Sequence, residues 1–519
     1  MPSSSSTPFQ VVWFKRDLRV SDHAPLAEAA ARGPVLPVYL IEDEVIRGKD
    51  FDARHWGFIR ESLQKLSTRL GELGAPLQVR KGEAVASFQR LREQYPLAAL
   101  WSHEETGNAV TFRRDRRVAR WAREVCLPWH ELPNNGVVRG LKDRDKWHGV
   151  WEKRMRAAPI PLPDVLNGGG LPPTRQIPSA EQLRLSSICD GDFQSGGEPR
   201  AHETLESFFA SRGARYTKEM SSPLTAEMAC SRLSPYLAYG CLSLRQAVQA
   251  ARGALEHIRE YGTSPSGEAF QAGSVRSFLS RCHWHDHFIQ KLEREPRIEH
   301  ACFHRGFEGM REPEWSAERY GAWLNGQTGY PFVDACLRML RATGWINFRM
   351  RAMLTSFAAY DLWLDWRGFK DDYARLFTDY EPGIHFSQCQ MQSGVTGINT
   401  LRIYSPVKQG YDQDPQGDFV RRWVPELAGI AGAEVHEPWK LTGRAQTEAE
   451  RYAKPIVDHA AAVKYARAQF AEVRRREGFR AESQRVYQEH GSRRNRENRG
   501  FNRTRRQQRD EGQGELAFG

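Results

Sequence analysis

The sequence predicts an α/β N-terminal domain built on a doubly wound parallel sheet, followed by an all-α domain, and three features carry that prediction. Residues 10–135 alternate short apolar runs with amphipathic stretches, the rhythm of strand, crossover helix and parallel strand. Residues 157–200 are rich in Pro, Gly and Ser (PIPLPDVLNGGGLPP, DGDFQSGGEP), a composition without periodicity that reads as a connecting segment. From 200 to about 470 the apolar residues recur at i, i+3 and i+4, the period of helices that bury one face. At 519 residues the chain exceeds what one ordinary core holds, so length alone calls for a division.

Taken in order, the strands are VVWF (11–14), VLPVYL (35–40), PLQVR (76–80), AALW (98–101) and a piece near 128–132, with helical patterns such as His55–Leu73 and Val110–Glu124 between them. Sheets of this kind bind ligands outside the carboxyl ends of their strands, although no GxGxxG follows the first strand. The helical patterns run through Leu242–Ala251, Ser277–Leu292, Pro331–Met353 and Met353–Trp366. The expected boundaries are a sheet domain at 8–140, a linker at 141–205, a helical domain at 206–470 and a tail at 471–519.

The net charge is +11, which favours a polyanionic partner. Part of it lies in an Arg-rich run (Arg493, Arg494, Arg496, Arg499, Arg503, Arg505, Arg506, Arg509) with few apolar residues. That run reads as a basic, disordered tail whose target is nucleic acid, or which serves only solubility. The eight cysteines form no CxxC pair and no zinc spacing with His, so neither a disulfide framework nor a structural metal is expected. No charged-then-apolar leader and no apolar run near the ~20 residues of a membrane span is present, so a cytoplasmic protein without membrane contact is expected.

Four segments carry a resemblance. WFKRDLRVSDHAPL (13–26), SRLSPYLAYGCLS (231–243), WLNGQTGYPFVDACLRMLRATGWINFRMR (323–351) and RIYSPVKQGYDQDPQGDFVRRWVPEL (402–427) resemble motifs of the photolyase/cryptochrome family, in its order and with compatible spacing. The likeness covers roughly residues 10 to 470. It implies an FAD-binding helical domain, an antenna chromophore of unknown identity on the sheet domain, blue-light chemistry on damaged DNA, and a monomer.

The resemblance also implies roles. Cys230, Ser231, Arg232, Leu233 and Ser234 match the segment that holds the FAD phosphates, with Cys230 in place of the usual Thr or Ser. On composition alone the same residues read equally well as a Ser N-cap with Pro235 in the first turn. Arg351 and Asp379 match an ion pair beside the flavin ring, and Trp284 matches a tryptophan near the flavin and lesion pocket. Phe348, Tyr380 and Glu381 complete the flavin set. Arg349 and Arg402 match cations at the rim, with Lys408 close by in sequence. In the tryptophan relay that photoreduces the flavin, Trp366 takes the middle position and Trp315 the outer one, while the inner one falls on Cys389, which cannot serve as a hopping station unless Trp363 or another aromatic substitutes.

Several positions depart from the pattern. His23 stands for Asn. The Glu that contacts cyclobutane dimers is Arg281, the following Arg is His285, the Asn facing flavin N5 is His385, and the second pocket Trp is Met391. The two histidines of enzymes acting on (6-4) lesions are Phe348 and Ala352. His385 is therefore a candidate proton donor at neutral pH, while His283 and His287, four apart, could simply lie on a solvated helix face. No Cys follows Cys389, so no iron–sulfur cluster is expected. Light-driven DNA repair is the leading expectation, a cryptochrome-like photosensor the second, and a nucleic-acid binder that keeps flavin only for stability the third.

Overall fold

A computed structural model describes residues 7–174 and 176–491. Five parallel strands, β1 (Phe9–Phe14), β2 (Val35–Ile41), β3 (Gln78–Lys81), β4 (Leu97–His103) and β5 (Trp129–Leu132), lie in the order β3-β2-β1-β4-β5. Every residue of β1 is buried, as a central strand covered on both faces requires. The crossovers are α1 (Ala24–Ala30), α2 (Ala53–Glu72), α3 (Ala84–Gln94) and α4 (Ala109–Glu124). Strand order reverses between β1 and β4, which opens a crevice at their carboxyl ends.

The helical domain follows the sequence period. Its site-forming helices are α6 (Ala272–Arg294), α7 (Ala317–Asn325), α8 (Pro331–Thr343), α9 (Phe348–Ser356), α10 (Trp366–Arg375) and α11 (Pro382–Gln392). Helices α6 and α11 come closest at Gly383, where a Cβ would stand 2.6 Å from Ile289 Cα. Gly344 closes α8 in the left-handed region at φ +68, and its carbonyl accepts from Thr378 N at 2.9 Å.

Two boundaries differ from the sequence reading. The expected linker contains α5 (Trp147–Arg156), which buries Trp147, Trp151 and Met155, one side chain per turn. Asp286 of α6 holds that helix by accepting from Trp151 Nε1 at 3.0 Å. The expected tail begins inside α12 (His459–Arg475) and continues through α13 (Phe479–His490). Tertiary contacts order α13: Arg294 pairs with Glu489, His490 with Glu295 and Arg485 with Glu295. The Arg-rich run from Arg493 lies outside the described residues. Among those described, no helix is long and apolar enough to cross a membrane.

The two domains share one core: Trp56, Phe58 and Leu63 of α2 cluster with Leu233, Tyr236 and Leu242 of the helical domain. Polar ties reinforce it. Arg16 donates to Ala238 O at 2.8 Å and Tyr380 O at 2.7 Å, Arg54 to Leu376 O at 2.6 Å, and His55 Nε2 to Phe377 O at 2.8 Å. Sheet-domain residues thus fix the segment that carries Asp379.

Candidate functional site

A cavity of about 470 Å³ opens in the helical domain, within the range of roughly 300–1,000 Å³ usual for ligand sites. All eleven of the expected flavin residues line it, as do Arg281, His285 and His385. Trp366 and Trp315 do not.

The 230–234 segment turns sharply because Arg232 adopts φ 61. Arg212 draws its carbonyls away from the cavity, donating to Cys230 O at 2.7 Å and Ser231 O at 3.2 Å. The short helix Ser234–Ala238 begins there with Pro in its first turn, and Ser231, whose hydroxyl accepts from Leu233 N at 3.4 Å, and Ser234 line the cavity. The Arg232 guanidinium stacks 4.0 Å from the Trp345 ring. Burial pushes the Cys230 thiol up to about 12, so it stays protonated.

On the opposite wall Arg351 Nη2 donates to both carboxylate oxygens of Asp379, at 2.8 and 2.6 Å. The Asp379 side chain is 2% exposed and that of Arg351 28%, and both line the cavity, the carboxylate the more deeply set of the two. Glu381 pairs with Arg16 at 3.1 Å, and burial raises its pKa. Four buried polar atoms on the lining have no hydrogen-bond partner among the described residues: Asn347 Oδ1, Glu381 Oε1, Gln388 Nε2 and His490 Nδ1. Buried polar atoms cost free energy unless paired, so the wall is shaped for a polar ligand. Serine hydroxyls, an ion pair and stacking rings suit a dinucleotide that carries phosphates at one end and an imide-bearing ring at the other.

The structure corrects two histidine readings. His385 Nε2 donates to Lys370 O at 2.7 Å, which leaves Nδ1 as an acceptor, and burial pulls the ring down to about 4. It is neutral at pH 7 and is no proton donor there. His287 is not on a solvated face: it is buried and contacts Arg144, while half-buried His283 packs 4.9 Å from Trp147 and 3.2 Å from His148 Nδ1. His285 Nδ1 lies 3.1 Å from Asp286, and Arg281 sits 5.3 Å over Phe348.

Cys389 lines the cavity with its thiol raised by burial. Trp366 is fully buried and donates to Cys302 Sγ at 3.4 Å. Trp363 donates to Glu314 at 3.2 Å. Sequence reasoning missed Tyr373, a cavity-wall residue whose ring is 5.2 Å from Trp323. One turn back on α7, Tyr320 stands 5.1 Å from Trp315, which is 38% exposed.

At the sheet's carboxyl edge a second cavity measures only about 100 Å³. Arg114 fills its floor, pairing with Glu42 at 2.9 Å, Glu105 at 2.7 Å and Asp115 at 2.9 Å. Asp17, His23 and His103 are close enough to hold a cation, but Asp17 Oδ2 accepts from His103 Nδ1 at 2.7 Å and His23 Nε2 at 3.1 Å. His23 Nδ1 accepts from Leu26 N, so the trio is a hydrogen-bonded hub that fixes the start of α1.

Residues 278–472 match the family model described as the FAD binding domain of DNA photolyase, and residues 10–140 that of DNA photolyase. The deoxyribodipyrimidine photo-lyase of Streptomyces griseus is 31% identical over 87% of this chain and 97% of that protein. The chain belongs to the photolyase/cryptochrome family. Within that family it also resembles cryptochrome DASH of Gloeobacter violaceus, 28% identical over 87% of this chain and 94% of that protein. A class III photolyase from Agrobacterium tumefaciens shares the fold, with TM-score 0.76 and 24% identity over 92% of this chain and all of that one. Arg351 and Asp379 lie inside the matched FAD-binding region, whereas Ser231–Ser234 precede it.

Proposed function

We propose that the cavity holds FAD and that the protein is a light-driven DNA repair enzyme acting on a flipped pyrimidine lesion. The observation that carries this is the meeting of Ser231 and Ser234 with the Arg351–Asp379 pair on one 470 Å³ cavity. When bound, FAD supplies light absorption and a one-electron donor. Ser231 and Ser234 would hold its phosphates, and Asp379, held in place by Arg351, would accept from its imide N–H. Trp284, ringed by His287 and Phe288 at 5.3 and 5.4 Å, offers a face on which an extruded base stacks. Arg349 and Arg402 meet phosphates at the rim.

The test is repair of oligonucleotides carrying cyclobutane or (6-4) lesions by reduced holoprotein under blue light and in darkness. Light-dependent restoration of either lesion supports the enzyme. Failure on both, with FAD bound and photoreducible, leaves the photosensor, which the Arg281–Phe348 contact favours because it covers the side of the cavity where a lesion-binding Glu is expected.

The pairs Tyr373–Trp323 and Tyr320–Trp315, with Trp323 and Tyr320 one helical turn apart on α7, offer a route from the cavity wall to the surface that does not use Cys389. Tyr320 donates its hydroxyl to Asp372, a base placed to take the phenol proton on oxidation. Trp323→Phe is expected to slow light-driven reduction of the bound flavin more than Trp366→Phe does, followed by flavin absorbance with an external thiol as donor. If only Trp366→Phe slows it, the route runs through Trp366.

A further inference from the structure

The cavity extends past Trp284 into a lobe at the C-terminal end of α6, where Phe288, Lys291, Phe303, Val486 and His490 form the wall. The lobe exists because α13 folds over it, so it was hidden in a segment that reads as tail. Half-buried Lys291 places its ammonium 4.9 Å from the Phe288 ring and 5.8 Å from the Phe303 ring. Among the described residues no carboxylate reaches it within ion-pair distance. Glu295, one turn on, is already engaged by His490, Arg297 and Arg485, and Glu293 turns to Arg139 and Thr106. The other charged or titratable neighbours are basic: Arg144 against His287, and His490. Burial, and then Arg144, pull the Lys291 ammonium down to about 7.

A cation on a cavity wall without a counter-ion from the protein calls for one from the ligand. Two aromatic faces, Phe288 and Phe303, stand beside it, with Trp284 packed 5.4 Å from Phe288, and alternation of rings with a point positive charge is how proteins track a single strand, stacking bases and meeting the backbone. We propose that this lobe is a subsite for a phosphodiester of the strand that enters the cavity, with Lys291 as its charge donor. The proposal rests on the DNA reading above and adds a contact separate from the rim arginines. A bound phosphodiester completes the lobe's charge balance and restores the full charge of Lys291.

The experiment measures binding of short single-stranded thymidine oligonucleotides to holoprotein in darkness, by fluorescence anisotropy. One oligonucleotide carries natural linkages and its twin carries neutral methylphosphonates at the centre. Wild type is expected to prefer the natural strand by roughly tenfold, the worth of one charge-assisted hydrogen bond. Lys291→Met should lose most of that preference and reduce the slope of log affinity against log salt by roughly 0.7, whereas Lys291→Arg keeps both. Flavin content and urea midpoint verify that the variants fold, with Lys291→Gln as a second neutral form. An unchanged preference and slope in both neutral variants overturns the proposal while leaving DNA binding intact. If wild type binds neither strand, the DNA reading falls with it, and the flavin content shows whether the FAD reading survives.

Discussion

Arg351→Met protein is expected to purify without flavin and to be less stable than wild type by about 3–5 kcal/mol, the usual cost of leaving one partner of a buried ion pair uncompensated. Asp379 depends on Arg351 for both carboxylate contacts, and its side chain is only 2% exposed. The variant therefore loses the cation on the cavity wall and leaves the carboxylate beside it unbalanced. A double variant, Arg351→Met with Asp379→Asn, separates the effects: stability should return toward wild type because no unpaired charge remains, while flavin stays absent. Arg351→Lys keeps the charge but loses the two-pronged geometry, so partial flavin retention is expected. Flavin absorbance per protein after purification, together with urea midpoints, reads all three. Stoichiometric flavin in Arg351→Met would remove this pair from the cofactor site.

How much of this was legible before the structure depends on how local each signal is. The strands of the sheet were readable because each is a short apolar run bounded by turn residues, and the site residues because 230–234 and 351–379 sit in motifs of recognisable type and spacing. Helix α13 was not. Its sequence, FRAESQRVYQEH, is mostly polar, with Val486 and His490 one turn apart as its buried residues, and it is held by Glu295 and Arg294 almost 200 positions away. Helix α5 had its signal, Trp147, Trp151 and Met155 at helical spacing, but the Pro- and Gly-rich residues after it masked the period. Lys291 reads from sequence as an ordinary cation in the last turn of a helix, and only the fold of α13 over Phe303 gives it a cavity. His385 could be placed by its motif, yet its protonation is set by its burial among helices distant in sequence, which no local pattern reveals.

A second large effect concerns acid. His55, His103 and His385 are buried, with pKa values pulled down to about 4, 3 and 4, burial being the first cause in each. In the unfolded chain an imidazole titrates near 6.5. Below that pH the unfolded state takes up protons that the folded state refuses, so the stabilising effect of each neutral histidine is complete above 6.5 and is lost as pH falls toward its folded value. The slope is about 1.4 kcal/mol per pH unit for each ring, or about 3 kcal/mol per histidine by pH 4. Glu42, raised to about 7 by burial, works in the opposite sense as pH falls below 7, so the difference between wild type and a variant is the quantity to measure. His103→Asn keeps a donor where Nδ1 meets Asp17, and His55→Gln keeps one where Nε2 meets Phe377 O. Each should be somewhat less stable than wild type at pH 7.5 and should show a shallower loss of urea midpoint down to pH 4.5. Parallel profiles for variant and wild type would mean these rings are not held neutral. The consequence reaches the site, because His55 grips the carbonyl two residues before Asp379. Flavin release from wild type should therefore accompany the acid transition, and in His55→Gln it should occur over a broader pH range.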